Sequence, residues 1–343
     1  MRCYERVFGY GVLLSLWLVT GSVIGGQPLR VILDTDINSD NDDVAAVAML
    51  HAMADDGKVD ILAMGAVSRC PYSPACLDAI NTYYGRGDIP IGTYKGNEKG
   101  PRSKSRYAKA VAQQCPNNMG LADQVPDVIM IYRSVLAQQP DQTVTMIAVG
   151  QTNNLVNLLH SSPDAFSRLG GRDLVRKKVK TLFVMAPYFN ERNTYQRAFN
   201  FTTAPKVAVE LVATWPTPIK FGEGNLGHRH YIGTRLNETP ARNPTRIAFE
   251  TYNQGAGKGK RCSNRHCADP STVLYAVHGT RYFGEVGPGA CDVRVGDAFT
   301  RWDAKTDKQH FYNTQKLPIS ELEKIMEDLL VQPPKAGRVP DTR

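Results

Sequence analysis

The stretch VILDTDINSDNDDVAAVAML, Val31 to Leu50, decides the fold. A strand-like apolar run leads into five aspartates within the ten residues Asp34 to Asp43, and then into a helix-like apolar run. Two carboxylates about 4 Å apart repel by roughly 4 kcal/mol at an effective dielectric near 20. A helix cap and solvated charge account for one such aspartate; five call for a bound cation. Asp36 leaves the strand, a short loop follows, and Asp42 and Asp43 open the helix, where the dipole and free N–H groups favour ionised carboxylates. Oxygen ligands at this density suit Ca²⁺ or Mg²⁺, and Ca²⁺ is the better match to a loose carboxylate cage.

Two rival chemistries fail on spacing. An EF-hand loop starting at Asp34 needs Gly sixth and Glu twelfth, where this chain has Ser39 and Ala45, and it follows a helix rather than a strand. A phosphatase of the haloacid dehalogenase type wants Thr or Val two residues past the second aspartate, and Asn38 stands there.

Outward from this stretch, strand-like runs recur at RVILDTD, DILAMGAVS, TVTMIAVG, KTLFVMAP and TPIKFGEG. Between them lie the helix-like stretches DVAAVAMLHAMAD, CLDAINTYYGR, VIMIYRSVLAQQ, NNLVNLLHSS and APKVAVELVAT. The alternation predicts an α/β fold, a mostly parallel sheet flanked by helices, with ligands beyond the carboxyl ends of the strands. From about Gly222 to Lys260 the pattern dissolves into Gly, Asn, Pro and Arg, followed by a helix-like DPSTVLYAVHGTRYF, a hairpin-like tail and a last helix, SELEKIMEDLLVQ. One domain over 27–343 is the simplest organisation.

Residues 1–26 carry Arg2 and Arg6, an apolar run from Val12 to Val19 and then small residues, as a secretory leader does. That run is too short to span a bilayer, which takes about 20 residues, so no membrane contact is expected once the leader is removed. The mature chain is expected outside the cell. Six cysteines remain, Cys70, Cys76, Cys115, Cys262, Cys267 and Cys291, an even number that suits disulfides in an exported chain. Spacing alone offers Cys70 with Cys76 and Cys262 with Cys267, leaving Cys115 for Cys291. CSNRHC lacks a second compact ligand pair for zinc. The formal charge of +8 falls to +7 without the leader, and its dispersed basic patches, without interleaved aromatics, read as solvated surface rather than a nucleic-acid site.

The residues of the acidic run resemble the inosine-uridine nucleoside hydrolases, whose first strand ends in Asp-x-Asp, a short loop and Asp-Asp. This chain is similar to the variant with a loop two residues longer, DTDINSDNDD. In family order follow INTYYGRGDIPIGTYKG, VTMIAVGQTNNLVNLL, LFVMAPYFNERNTYQRAFNFTTAPKVAVELV and CADPSTVLYAV. The resemblance implies a Ca²⁺ ion that binds the attacking water and two ribose hydroxyls. It makes Asp36 a ligand and the general base, Asp43 a bidentate ligand, Asn153 a carbonyl ligand and Asp269 the closing ligand. Asp42, Asn193 and Asn200 become sugar contacts, and Asp40 competes with Asp42 and Asp43 for their roles. Two expected side chains are missing: the sugar-binding Glu falls on Ala198, and the late His that protonates the leaving base falls on Ala268. His266 lies near in sequence and His228 in the irregular region, and Tyr188 or Phe189 is a candidate to stack on a base. NFT at Asn200 and NET at Asn237 are formal glycosylation acceptors; a glycan on Asn200 would contradict its sugar-binding role.

Together these expectations describe a secreted Ca²⁺-dependent hydrolase that cleaves the N-glycosidic bond of a small-molecule nucleoside or related riboside, in a family whose members form homodimers or homotetramers. The alternatives are a non-catalytic secreted protein that binds ribosides or metal on the same fold, and another metal-dependent hydrolase, of phosphate esters for example.

Overall fold

The computed structural model describes residues 27–96 and 106–335; the expected leader lies outside the described residues. The first half of the chain alternates as β1 (Leu29–Thr35), α1 (Asp42–Asp55), β2 (Val59–Ala66), α2 (Ser73–Tyr83), β3 (Ile91–Thr93), α3 (Tyr107–Gln114), α4 (Val128–Gln138), β4 (Val144–Ala148), α5 (Asn153–His160), α6 (Gly171–Lys178) and β5 (Val179–Met185). The second half adds α7 (Phe199–Thr202), α8 (Pro205–Thr214), β6 (Ile219–Gly222), α9 (Gly224–Gly227), β7 (Tyr231–Ile232), α10 (Pro244–Gly255), β8 (Arg265–His266), α11 (Ala268–His278), β9 (Phe283–Val293), β10 (Thr300–Asp303), β11 (His310–Gln315) and α12 (Ile319–Val331).

Nine strands form one sheet in the order β10-β9-β11-β6-β5-β4-β1-β2-β3. From β3 to β11 neighbours run parallel, and β9 and β10 close one edge antiparallel. The short pair β7–β8 stands apart as a second, antiparallel ribbon. The expected mostly parallel α/β sheet is therefore present. Along β1, Val31 and Leu33 enter the core on one face and Ile32 enters the core on the other, the period of two that a strand covered on both sides requires. Each of these fully buried aliphatic side chains contributes roughly 1.5–3 kcal/mol of burial free energy.

Helix α1 is apolar all round, so it is buried along its whole length, packed against α11 and α12. Two polar members of its later turns are paired: His51 Nε2 lies 2.8 Å from Asn81 Oδ1, and Asp55 accepts from Arg86 at 2.6 Å. No helix among the described residues is long and apolar enough to cross a membrane.

Two expectations change. The region from Gly222 to Lys260 is not irregular throughout: Asn243 accepts from the Thr245 N–H and Pro244 occupies the first turn, and α10 buries Ile247, Ala248 and Phe249. The disulfides expected from spacing are absent, since the six cysteines among the described residues are free thiols. Cys115 and Cys291 belong to the cores on opposite faces of the sheet, so the fold itself keeps that pair apart. The Cys262 and Cys267 thiols turn to separate backbone carbonyls, those of Arg246 and Arg265.

Candidate active site

The carboxylate-rich run folds where the sequence places it, at the carboxyl end of β1. Asp34 points into the protein, where the Tyr132 hydroxyl and the Asn154 amide donate to its Oδ2 at 2.5 and 2.8 Å. Burial pushes its carboxyl up to about 7 in spite of those bonds. Asp36, one residue past β1, is 2% exposed, and its Oδ2 accepts from the Gln151 amide at 2.8 Å. Burial, with the charge of Asp42 behind it, pushes Asp36 up to about 6. Gly150 lets β4 approach this close: a Cβ there would lie 2.5 Å from the Asp36 backbone nitrogen.

The longer loop has its own fastenings. Asn38 takes a left-handed backbone, φ 88°, and its Oδ1 accepts from the Ala108 N–H at 3.2 Å. The Tyr107 hydroxyl accepts from the Asn38 N–H and donates to the Asp40 carbonyl at 2.6 Å. The Asp40 carboxylate is gripped by the Arg265 guanidinium, with Nε 2.8 Å from Oδ1 and a second nitrogen on Oδ2. Burial would raise Asp40, but bonds from His266 and Arg265 hold it well below the carboxylate range. Asp40 ties the loop to β8.

Asp42 and Asp43 occupy the first turn of α1, and Asp269 the first turn of α11. Because these two helices pack together, one carboxylate oxygen from each of the three lies within 4.8 Å of the others. All three side chains are buried. Thr35 donates to Asp43 Oδ1, while Asp43 Oδ2 is buried without a hydrogen-bond partner. Burial first, and the neighbouring aspartates second, push Asp43 and Asp269 well above the carboxylate range. Two oxygens on one Ca²⁺ at 2.3–2.6 Å can be at most about 5 Å apart, so the spacing, the orphaned oxygen and the hard-donor set all fit a divalent cation.

A cavity of about 240 Å³ opens beside this trio, lined among others by Asp36, Asp42, Asp269, Asn200, Tyr188 and His266. The Asn200 amide nitrogen donates to the Val149 and Met185 carbonyls at 3.1 and 3.0 Å, which leaves no room for a glycan on it. His266 sits between two carboxylates, 3.4 Å from Asp40 Oδ2 and 3.4 Å from Asp42 Oδ2. Burial works against its charge, yet those partners carry it up to about 9.

The placement differs from expectation at Asn193 and Phe189. Asn193 is exposed in a left-handed turn, φ 49°, and its Oδ1 accepts from the Trp302 N–H at 3.2 Å, so it fastens β10 and does not line the cavity. Asn153 opens α5 and lines a separate cavity with Gln151 and Lys206. Phe189 packs on Trp302 and Tyr312, away from the cavity that Tyr188 lines. Sequence reasoning passed over Gln151, Asn154, Tyr132 and Arg265. The first two stand in QTNN, which follows directly on VG in the β4 run, and polar residues at a strand end were the available signal.

The sequence profile of the inosine-uridine preferring nucleoside hydrolases matches residues 31–319. The chain belongs to that family. It is an N-glycosyl hydrolase of the ribonucleoside type, and its substrates as a family are small-molecule nucleosides. A plant nucleoside hydrolase superposes with TM-score 0.63 at 18% identity, over 89% of this chain and 100% of that one. A purine-preferring ribonucleoside hydrolase from Gardnerella vaginalis gives 0.61 at 12%, over 88% and 98%. The type III effector protein XopQ, complexed with adenosine diphosphate ribose, gives 0.64 at 14%, over 89% and 93%. These likenesses establish the nucleoside hydrolase fold. No curated protein matches in sequence.

Proposed function

We propose that this nucleoside hydrolase is an exported, Ca²⁺-dependent enzyme that hydrolyses the N-glycosidic bond of ribonucleosides or related ribosides to free base and ribose. The observation that carries the reading is the buried trio Asp42, Asp43 and Asp269 beside a cavity that also contains Asp36 and Asn200. The leader-like residues 1–26 support export. The ligands are Asp43 and Asp269, with Asp36 and the Asn153 carbonyl as the further ligands that the family pattern implies. When bound, Ca²⁺ offsets the clustered charge and polarises the attacking water.

The chain's own residues supply the rest. Asp36, held by the Gln151 amide, takes the proton from the water. Asp42 accepts from a ribose hydroxyl. The carboxylates around the sugar favour the oxocarbenium-like charge that develops as the bond to the base lengthens. The cavity is smaller than the roughly 300–1,000 Å³ of sites for drug-sized ligands, so it suits a ribosyl group with its base toward the rim. The ring of Phe199, 48% exposed and lining the cavity, offers an apolar face there.

Ala198 and Ala268, where a sugar contact and a proton donor are expected, favour a second reading in which the protein binds a riboside without turning it over. The mature protein incubated with Ca²⁺ and a panel of nucleosides plus ADP-ribose separates the two. Release of base that falls by about 10²–10⁴-fold in Asp36→Asn supports the enzyme; tight calcium binding with no product from any substrate supports the binding protein.

A further inference from the structure

A second cavity, of about 660 Å³, opens at the carboxyl ends of β6 and β11 and shares no lining residue with the one beside the carboxylate trio. The chain separates the two within single steps: Tyr188 lines one and Phe189 the other, and along α9 Leu226 lines the second cavity while His228 lines the first. Its volume falls within the roughly 300–1,000 Å³ of small-molecule sites.

Three donor groups line it. Asn313, on β11, is 1% exposed, and its Oδ1 accepts from the Glu223 N–H at 2.8 Å. That bond fixes which end of the amide is oxygen. The other end, Nδ2 with two protons to give, is buried without an acceptor. Such a group is costly to bury unpaired, and a ligand oxygen would satisfy it. Arg192 and Arg229 line the same cavity, are exposed, and form no ion pair among the described residues.

The carboxylates of the lining do not cancel these donors. Glu191 is exposed to solvent. Glu223 caps α9, and its oxygens accept from the N–H groups of Phe189, Asn225 and Leu226 at 2.9, 3.1 and 2.7 Å. Burial raises its carboxyl, while those bonds and Arg229 pull the other way. Its oxygens are thus engaged by the backbone. One wall is aromatic: the rings of Phe189 and Tyr312 lie 4.7 Å apart, both half-buried, and Trp302 backs them at 5.6 and 4.8 Å.

We propose that this cavity is a second ligand site, for a small aromatic molecule that carries a phosphate monoester, with Arg192, Arg229 and Asn313 on the phosphate and Phe189 and Tyr312 against the ring. Three donor groups match the three terminal oxygens of a phosphate monoester, and a carboxylate offers only two. The ring gains an edge or a face of the aromatic wall. The site stands apart from the riboside reading, since a protein that cleaves no riboside would still bind its ligand here.

The probe is phenyl phosphate, which has the ring and the phosphate but no sugar, titrated calorimetrically into the mature protein in calcium. Asn313→Asp keeps the acceptor for the Glu223 N–H and replaces the donor by a carboxylate oxygen; Arg192→Gln with Arg229→Gln removes the charges at two exposed positions. Each is expected to weaken binding by at least about tenfold, as loss of a bond to a charged group does, with melting temperatures unchanged. If Asn313→Asp does not fold, the arginine pair carries the same test. Benzoate is expected to bind more weakly than phenyl phosphate, and saturating ribose to displace neither. Displacement by ribose would put the probe in the carboxylate cavity and overturn the assignment. So would no binding by wild type at millimolar probe, equal affinity for benzoate, or wild-type affinity in the arginine variant.

Discussion

Asp269→Asn should move stability in opposite directions with and without calcium. In the ion-free protein three buried carboxylates lie within 4.8 Å of one another, and an ionised pair at that distance repels by about 3–4 kcal/mol at an effective dielectric of 20. The substitution removes two of the three pairs. Because burial already holds Asp43 and Asp269 toward the neutral form, the net gain is only a fraction of that sum, about 1–3 kcal/mol. For about 300 ordered residues the unfolding entropy is about 0.6 kcal/mol/K, so the variant should melt roughly 2–5 °C above wild type in chelator. Calcium at a hundred times its dissociation constant stabilises wild type by about 2.7 kcal/mol, or about 4 °C, and should leave the variant nearly unmoved. Thermal unfolding across a calcium series, after chelation, shows whether the two curves cross. A variant that melts lower in chelator yet keeps the full calcium response would refute the trio as a charged cation site.

Three further outcomes follow from the geometry. Gly150→Ala puts a Cβ against the Asp36 backbone and should cost about 10²-fold in kcat/KM by shifting that carboxylate, with steady-state kinetics as the check. Arg265→Ala leaves the Asp40 carboxylate without its two-pronged partner and should lower stability by about 1.5–3 kcal/mol in denaturant titrations. Asp164 is held down to about 2 by the Arg133 guanidinium at 2.6 Å. Since its folded pKa is depressed, that contribution is complete above about pH 4 and lost as pH falls toward 2. After solvent screening it is worth about 1 kcal/mol, so Asp164→Asn should flatten the acid limb of a stability profile by that amount.

Much of the fold is legible because strands covered on both faces leave long apolar runs, and β1, β2, β4, β5 and β6 each carry one. Strand β3 has three residues, too few to show a period. Helix α10 hides among Asn, Pro and Arg because one face of it is solvated. Within the site, the aspartates stand out since charge between apolar segments demands a reason. Gln151 does not, because an amide that holds a carboxylate resembles any strand-end residue until the two strands lie side by side. His228 stands in a stretch with no periodic pattern, and the seating of α9 on α11 brings it to the cavity. Asn193 misleads for the converse reason: a short local motif supplied it, and a left-handed turn sends it elsewhere.

The Asp40–Arg265 clasp and the Asp42–Asp269 approach join segments more than two hundred residues apart in the chain. A nascent chain that has emerged only as far as β4 carries all five aspartates of the opening run and still has no cage. The three carboxylates come together only after α11 has docked on α1, late in synthesis and after most of the sheet exists. On the proposed metal reading, occupancy of the site would report completed folding: a chain truncated or misfolded beyond β6 keeps its acidic loop but lacks the Asp269 side of the cage.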